Sequence, residues 1–191
     1  MGRKILLITT DQQRFDALGC NGGQFAKTPK LDGLAAAGIN FSQARNQSTV
    51  CMPARSTILT GQSIRRHGVT SNGIQLPPDQ NSLAHVLQNA GYKTALIGKA
   101  HLDPHAGKIF FENTAATDET TGPYRGFDHM ELCGHTGRVG RSLFHYPKWL
   151  AENHPEFVEG FHEYAVAGAP SNRGWTETGA PQVADNPIPI A

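Results

Sequence analysis

The sequence predicts an α/β domain built on a mostly parallel sheet flanked by helices. Three observations carry this. Short continuous apolar runs at 5–9 and 94–97 have the length and composition of strands buried on both faces. Between them lie segments with helical periodicity, at 28–38 and 81–91 and after Pro53. Glycines punctuate the joints, as expected where helices and strands alternate.

The elements follow in order. Ile5 to Thr9 reads as a central strand. Thr28-Pro29 opens a helix, with Thr as cap and Pro where no N–H is needed. Leu31, Leu34 and Ala35 give that helix an apolar face, and Gly38 ends it. Ile39 to Phe41 is expected to begin a short strand. Pro53 suits the first turn of a helix running from Ala54 to Thr60, with Gly61 as its stop. Asn81 or Ser82 caps a further helix carrying Leu83, Val86, Leu87 and Ala90, which Gly91 stops. Thr94-Ala95-Leu96-Ile97 is a second buried strand. Beyond residue 103 the pattern weakens. Thr114–Thr121 reads as a polar loop, and Gly122–Arg141 shows no period. Tyr146–Ala151 and Pro155–Ala165 read as helical pieces, with Trp149, Leu150, Phe157, Phe161 and Tyr164 as candidates to face a core. The Pro-rich stretch from Ser171 to Ala191 reads as irregular.

The chain has 191 residues, enough for one core. A net charge of +1 with 17% charged residues argues against nucleic-acid and membrane-surface partners. Three cysteines at wide spacing (Cys20, Cys51 and Cys133) make no disulfide framework and suit a reducing compartment. Met1-Gly2-Arg3-Lys4 leads into only four strongly apolar residues, too few for a signal peptide or a membrane span. The expected location is cytoplasmic.

The most specific stretch is Cys51-Met52-Pro53-Ala54-Arg55 with Thr60-Gly61. With each of the five fixed types present at roughly 1 in 20, the pattern arises by chance about once in three million windows. Local physics makes it a site for an anion. Cys51 is expected just ahead of a helix N-terminus, where unpaired N–H groups and the positive dipole end favour negative charge. Arg55 lies one turn on and can reach back to the same place. Two further features gather with Cys51 at strand ends, where open α/β sheets bind ligands. They are Asp11-Gln12 after the first strand and Gly98-Lys99-Ala100-His101 after the second. A plain thiolate at Cys51 is one nucleophile such a place supports.

The Cys-x-Pro-x-Arg-x-x-x-x-Thr-Gly pattern and Gly98-Lys99-Ala100-His101-Leu102 resemble the sulfatases of the alkaline-phosphatase superfamily. The resemblance runs from Lys4 to Leu102 and more loosely to Gly126-Phe127-Asp128. It implies an alkaline-phosphatase-like fold and hydrolysis of a small sulfate monoester. The nucleophile would be formylglycine made from Cys51 by a maturating enzyme. It implies a divalent cation, Ca2+ first and Mn2+ or Mg2+ as alternatives, held by Asp11, Gln12 and residue 51. Lys99 would bind a sulfate oxygen. His101 would contact the nucleophile or the sulfate, with Arg55 completing the catalytic set. Asn72 would donate to substrate in the branch that includes phosphonate monoester hydrolases. His67 is assigned to structure.

Three positions depart from the family pattern. Gln12 stands where a second acid is common, Ala100 where Trp is common, and no Asp-His-Gly or Asp-Asn-Gly follows residue 102. The chain is therefore expected to be the N-terminal part of one sulfatase catalytic domain. Residues 1–102 would be its motif-bearing core and 103–191 a loop-rich extension, inactive by itself. Phosphonate monoester or phosphodiester hydrolysis with the same nucleophile is the enzymatic alternative, and a non-catalytic fragment is the alternative of another class. Oligomeric state is left open.

Overall fold

A computed structural model describes residues 2–104, 110–116, 118–134 and 144–157. They divide into two compact units, Met1–Asn46 and one beginning at Gln47.

In the first unit, two 3-10 turns, Phe15–Ala17 and Gly19–Asn21, precede helix α1, Pro29–Ala37. Thr28 stands at the cap position, as the sequence predicts, but its hydroxyl does not bond the helix backbone. It accepts instead from the Gly19 N–H at 2.9 Å and donates to Asp32 Oδ1 at 3.0 Å. Asp32 Oδ1 also accepts from the Cys20 N–H at 2.7 Å. The approach is close: a Cβ on Gly19 would lie 2.5 Å from Asp32 Oδ2, so the carboxylate would have to shift.

The expected strand at Ile5–Thr9 is not present. Among the described residues this segment pairs with no strand, and Leu6 is 84% exposed. An apolar run specifies burial, whereas a strand exists only through ladder bonds to a neighbour. Ile39–Phe41 forms no strand either, and Ile39 and Phe41 are exposed.

The second unit carries the sheet. Strand β1, Ala95–Gly98, pairs in parallel with β2, His129–Leu132, in the register Leu96 to Met130 and Gly98 to Leu132. The sequence reading placed the first of these one residue early and missed the second. His129-Met130-Glu131-Leu132 does alternate, with Met130 and Leu132 buried, a period-two signal only four residues long. Asp128 pins the sheet's start: its carboxylate accepts from the Thr94 N–H at 2.9 Å and from Gln88 Nε2 at 2.7 Å.

Helix α2, Cys51–Thr60, ends at Gly61 with φ 66°, and α3 is the single turn Ile64–His67. Helix α4, Leu83–Asn89, starts from a capping box in which Ser82 and His85 satisfy each other's backbone N–H groups. A short helix α5, Phe111–Thr114, ends where the stretch read as loop begins, and α6 is His145–Asn153. The Pro155–Ala165 segment begins with a 3-10 turn, Pro155–Phe157, and its remainder lies outside the described residues, as does Ser171–Ala191. The core gathers Met52, Val69, Leu76, Leu102, Met130, Leu132 and Phe144 with Ala100, Ala115 and Tyr124. Burying each Met or Leu of this set contributes about 1.5–3 kcal/mol. The core thus underlies both the start of α2 and the segment that follows β1. Among the described residues no helix is long and apolar enough to cross a membrane.

Candidate active site

Cys51 is the first residue of α2 rather than the residue before it, and it is half-buried. Val50 at the cap position offers no side-chain acceptor. The acceptor comes from twenty residues on: Asn72 Oδ1 takes the Met52 N–H at 3.0 Å. Next to it, the Gly73 N–H lies 3.1 Å from Met52 Sδ. The Asn72 turn is therefore docked on the helix end that carries Cys51. Its side-chain oxygen is thereby committed to the backbone of the helix end.

Arg55, one turn along α2, donates from Nη1 to the Lys99 carbonyl oxygen at 2.5 Å. That bond ties α2 to the segment leaving β1. Lys99 is half-buried there, whereas Ala100 and His101 are buried. His101 has a left-handed backbone with φ 52°, uncommon for a residue with a Cβ. On the neighbouring strand, the Cys133 N–H donates to the Gly98 carbonyl at 3.0 Å. Burial pushes the Cys133 thiol up, and the positive charge of Lys99 pulls the other way. The carboxyl ends of β1 and β2 thus meet at Lys99 and Cys133.

The structure thereby connects Cys51, Arg55, Asn72, Lys99 and His101 through α2, the Asn72 turn and the segment after β1. Asp11 and Gln12 belong to the first unit, where both are exposed and Gln12 has φ 53°. Among the described residues no group of three or more His, Cys, Asp or Glu is placed to hold a metal ion. Asp11 and Gln12 alone do not make up the six or more oxygens that Ca2+ takes.

His67 has a structural place, as read from sequence. Its Nδ1 accepts from the Val69 N–H at 3.1 Å, which leaves the proton on Nε2 to donate to Thr57 Oγ1 at 3.0 Å. Burial lowers the tendency of this ring to take a second proton.

The sequence reading missed a buried polar cluster behind the 99–103 segment. Glu112 accepts from the backbone N–H groups of His101, Leu102 and Asp103 at 3.0, 2.7 and 3.0 Å. The Tyr124 hydroxyl donates to Glu112 at 2.6 Å. Burial first, and Glu112 next, hold that phenol far above its usual range. Asp103 accepts from Arg125 Nη2 and from Gln75 Nε2, both at 2.9 Å. No local pattern flags these residues, because their partners lie far apart in sequence.

Against known proteins, residues 3–164 match the family model described as Sulfatase. The chain is 38% identical over 120 residues to an arylsulfatase of Clostridium perfringens, covering 62% of this chain and 25% of that protein. It is 38% identical over 98 residues to an N-acetylglucosamine-6-O-sulfatase of Bacteroides thetaiotaomicron, covering 51% of this chain and 18% of that protein. The solved phosphonate monoester hydrolase of Agrobacterium radiobacter superposes with a TM-score of 0.57 at 28% identity, covering 78% of this chain and 28% of that one. The α/β, alkaline-phosphatase-like fold expected from the sequence is the fold of such neighbours. The chain spans about a fifth to a quarter of the length of the two curated relatives.

Proposed function

The chain belongs to the sulfatase family, and on that premise we propose that it forms the nucleophile-bearing part of an enzyme hydrolysing small sulfate monoesters, with Cys51 matured to formylglycine. The observation that carries the reading is the junction of α2 with the segment after β1. Cys51 opens the helix, Asn72 caps it, and Arg55 bonds the backbone of Lys99, two residues before His101.

Each side chain has a task that follows from an anionic substrate. The Lys99 ammonium offsets charge on a sulfate oxygen as the ester bond breaks. Arg55 adds positive charge at the helix end and, through its bond to the Lys99 carbonyl, fixes the distance between helix and segment. The Asn72 amide nitrogen donates to substrate while its oxygen holds the helix end in place. His101, buried and backbone-fixed, is the proton-transfer group. Formylglycine made from Cys51 would supply the nucleophile at the start of α2. Asp11 and Gln12 are the oxygen donors this chain offers to a divalent cation, Ca2+ in preference to Mn2+ or Mg2+. A formylglycine-generating enzyme is the partner this reading requires.

Hydrolysis of phosphonate monoesters is the second reading. Its support is the likeness to the Agrobacterium hydrolase together with Gln12 in the place of a second acid. Both readings are tested on the whole protein, co-expressed with a maturating enzyme. Peptide mass spectrometry and aldehyde labelling should find formylglycine at position 51. An aryl sulfate should be turned over faster than a phenyl phosphonate. The reverse order selects the second reading, and active protein with an unmodified thiol at Cys51 overturns the formylglycine mechanism.

A further inference from the structure

Three successive backbone N–H groups, those of His101, Leu102 and Asp103, converge on one carboxylate, Glu112, at 3.0, 2.7 and 3.0 Å. Consecutive amides pointing one way form a concavity that suits an anion. Here the chain supplies that anion itself. Glu112 is 1% exposed, and a buried carboxylate is costly unless its oxygens are bonded. The Tyr124 hydroxyl gives a fourth donor, at 2.6 Å. Arg125 donates to the Tyr124 oxygen at 2.9 Å and to Asp103 at 2.9 Å, and also to the carbonyls of Leu76 and Pro77. The Glu112 N–H returns to Asp103 Oδ2 at 3.3 Å. The result is a closed frame around the one segment that carries both Lys99 and His101.

Apolar packing could hold such a segment without burying two carboxylates and a guanidinium. Buried ionic clusters of this kind are poor stabilisers relative to well-packed apolar groups. What this one fixes is conformation. The left-handed φ of 52° at His101 is unfavourable for a residue with a side chain, and the bond from its own N–H to Glu112 opposes that cost.

We propose that Glu112 is a positioning residue for His101: by gripping the amides of residues 101–103 it sets the turn from which the imidazole leaves the chain. The role rests on the reading of His101 as a site residue. Glu112 touches no reacting atom and acts through the backbone of the residue that does. Tyr124 and Arg125 hold the carboxylate in place.

The test uses the whole protein and compares Glu112→Gln, His101→Ala and the double variant, with Tyr124→Phe as a milder probe. Tyr124→Phe removes only the hydroxyl and keeps the ring stacked on Phe111 at 5.1 Å. Hydrogen exchange at the amides of 101–103 is followed beside kcat and KM for the ester that the enzyme turns over faster. Glu112→Gln should speed exchange at these amides and lower kcat about tenfold or more, with KM within about threefold. In the His101→Ala background it should add almost nothing, because the residue it positions is gone. Tyr124→Phe should follow the same pattern at several-fold and serves if Glu112→Gln does not fold. Losses that add to that of His101→Ala, or unchanged exchange at 101–103, overturn the positioning role. A near-normal rate in His101→Ala itself would instead overturn the reading of the site on which the role stands.

Discussion

Asn72 caps a helix with one end of its amide and is proposed to bind substrate with the other, and substitutions can separate the two. Its oxygen caps the Met52 N–H at the start of α2, while its nitrogen is assigned to substrate. Asn72→Ala should cost about 1 kcal/mol, the usual value of a lost helix cap, read as a shift in denaturation midpoint. Asn72→Asp keeps an acceptor and adds a charge that the helix dipole favours, so stability should hold. Its carboxylate would repel an anionic ester, and kcat/KM should fall about tenfold or more. Unchanged kcat/KM in Asn72→Asp would confine Asn72 to capping. Lys99→Ala and His101→Ala should each lower turnover about 10²-fold, the scale for one preorganised charge or proton-transfer group. Near-normal rates in both, in folded protein, would remove them from the site. These residues were legible in the sequence because their motifs are local, with fixed types at fixed spacing around Cys51 and Gly98. Glu112, Tyr124 and Arg125 were not. Their meaning arises only when segments such as 75–77, 101–103 and 112 converge, and no periodicity encodes that.

Elements were legible where their own ends are written in the chain. Helix α4 begins at Ser82 and is followed by Gly91 at φ 83°, and α2 is closed by Gly61, as turn chemistry dictates. Elements defined by a distant partner were less legible: β1 was read one residue early, Ile5–Thr9 has strand composition without a ladder, and β2 is a strand because it lies beside β1. Helices α2 and α3 are joined by a contact with a pH dependence. His67 bridges the Val69 N–H and the Thr57 hydroxyl only as the neutral ring with its proton on Nε2. Burial lowers its affinity for a second proton below that of the unfolded chain, whose value is 6.5. The unfolded state therefore binds the proton more readily, and stability rises with pH across that window. This contribution is fully present above about pH 6.5 and is lost as pH falls toward the lower folded value. Urea midpoints for the wild type should drop between pH 7.5 and 5.5 by more than those of His67→Gln. Equal drops would remove His67 as the source.

The chain covers 25% and 18% of the two curated relatives, and large apolar side chains stand open on its surface. In the first unit Ile5, Leu6, Leu7 and Ile8 are all more than half exposed, with Leu34, Ile39 and Phe41 also open. In the second, Val86 on α4 and Ile97 on β1 are 61% and 64% exposed. Among the described residues the sheet has two strands, so each strand has an edge without a partner there. Apolar runs of strand composition and unpaired edges both promote association between chains. Expressed as residues 1–191 alone, the protein should elute as concentration-dependent oligomers, bind an apolar dye, and melt without a sharp transition. It should turn over neither an aryl sulfate nor a phenyl phosphonate, because the oxygen donors of Asp11 and Gln12 fall short of a cation's shell. Replacing Leu6 and Ile8 with Lys and Glu should reduce association without restoring turnover, since it treats the surface and adds no oxygen donor. Light scattering after size exclusion, calorimetry and an ester assay decide the matter together. A monodisperse, cooperatively melting monomer that hydrolyses sulfate esters would show that residues 1–191 hold a complete site, and would place the nucleophile's electrostatic support in this chain alone.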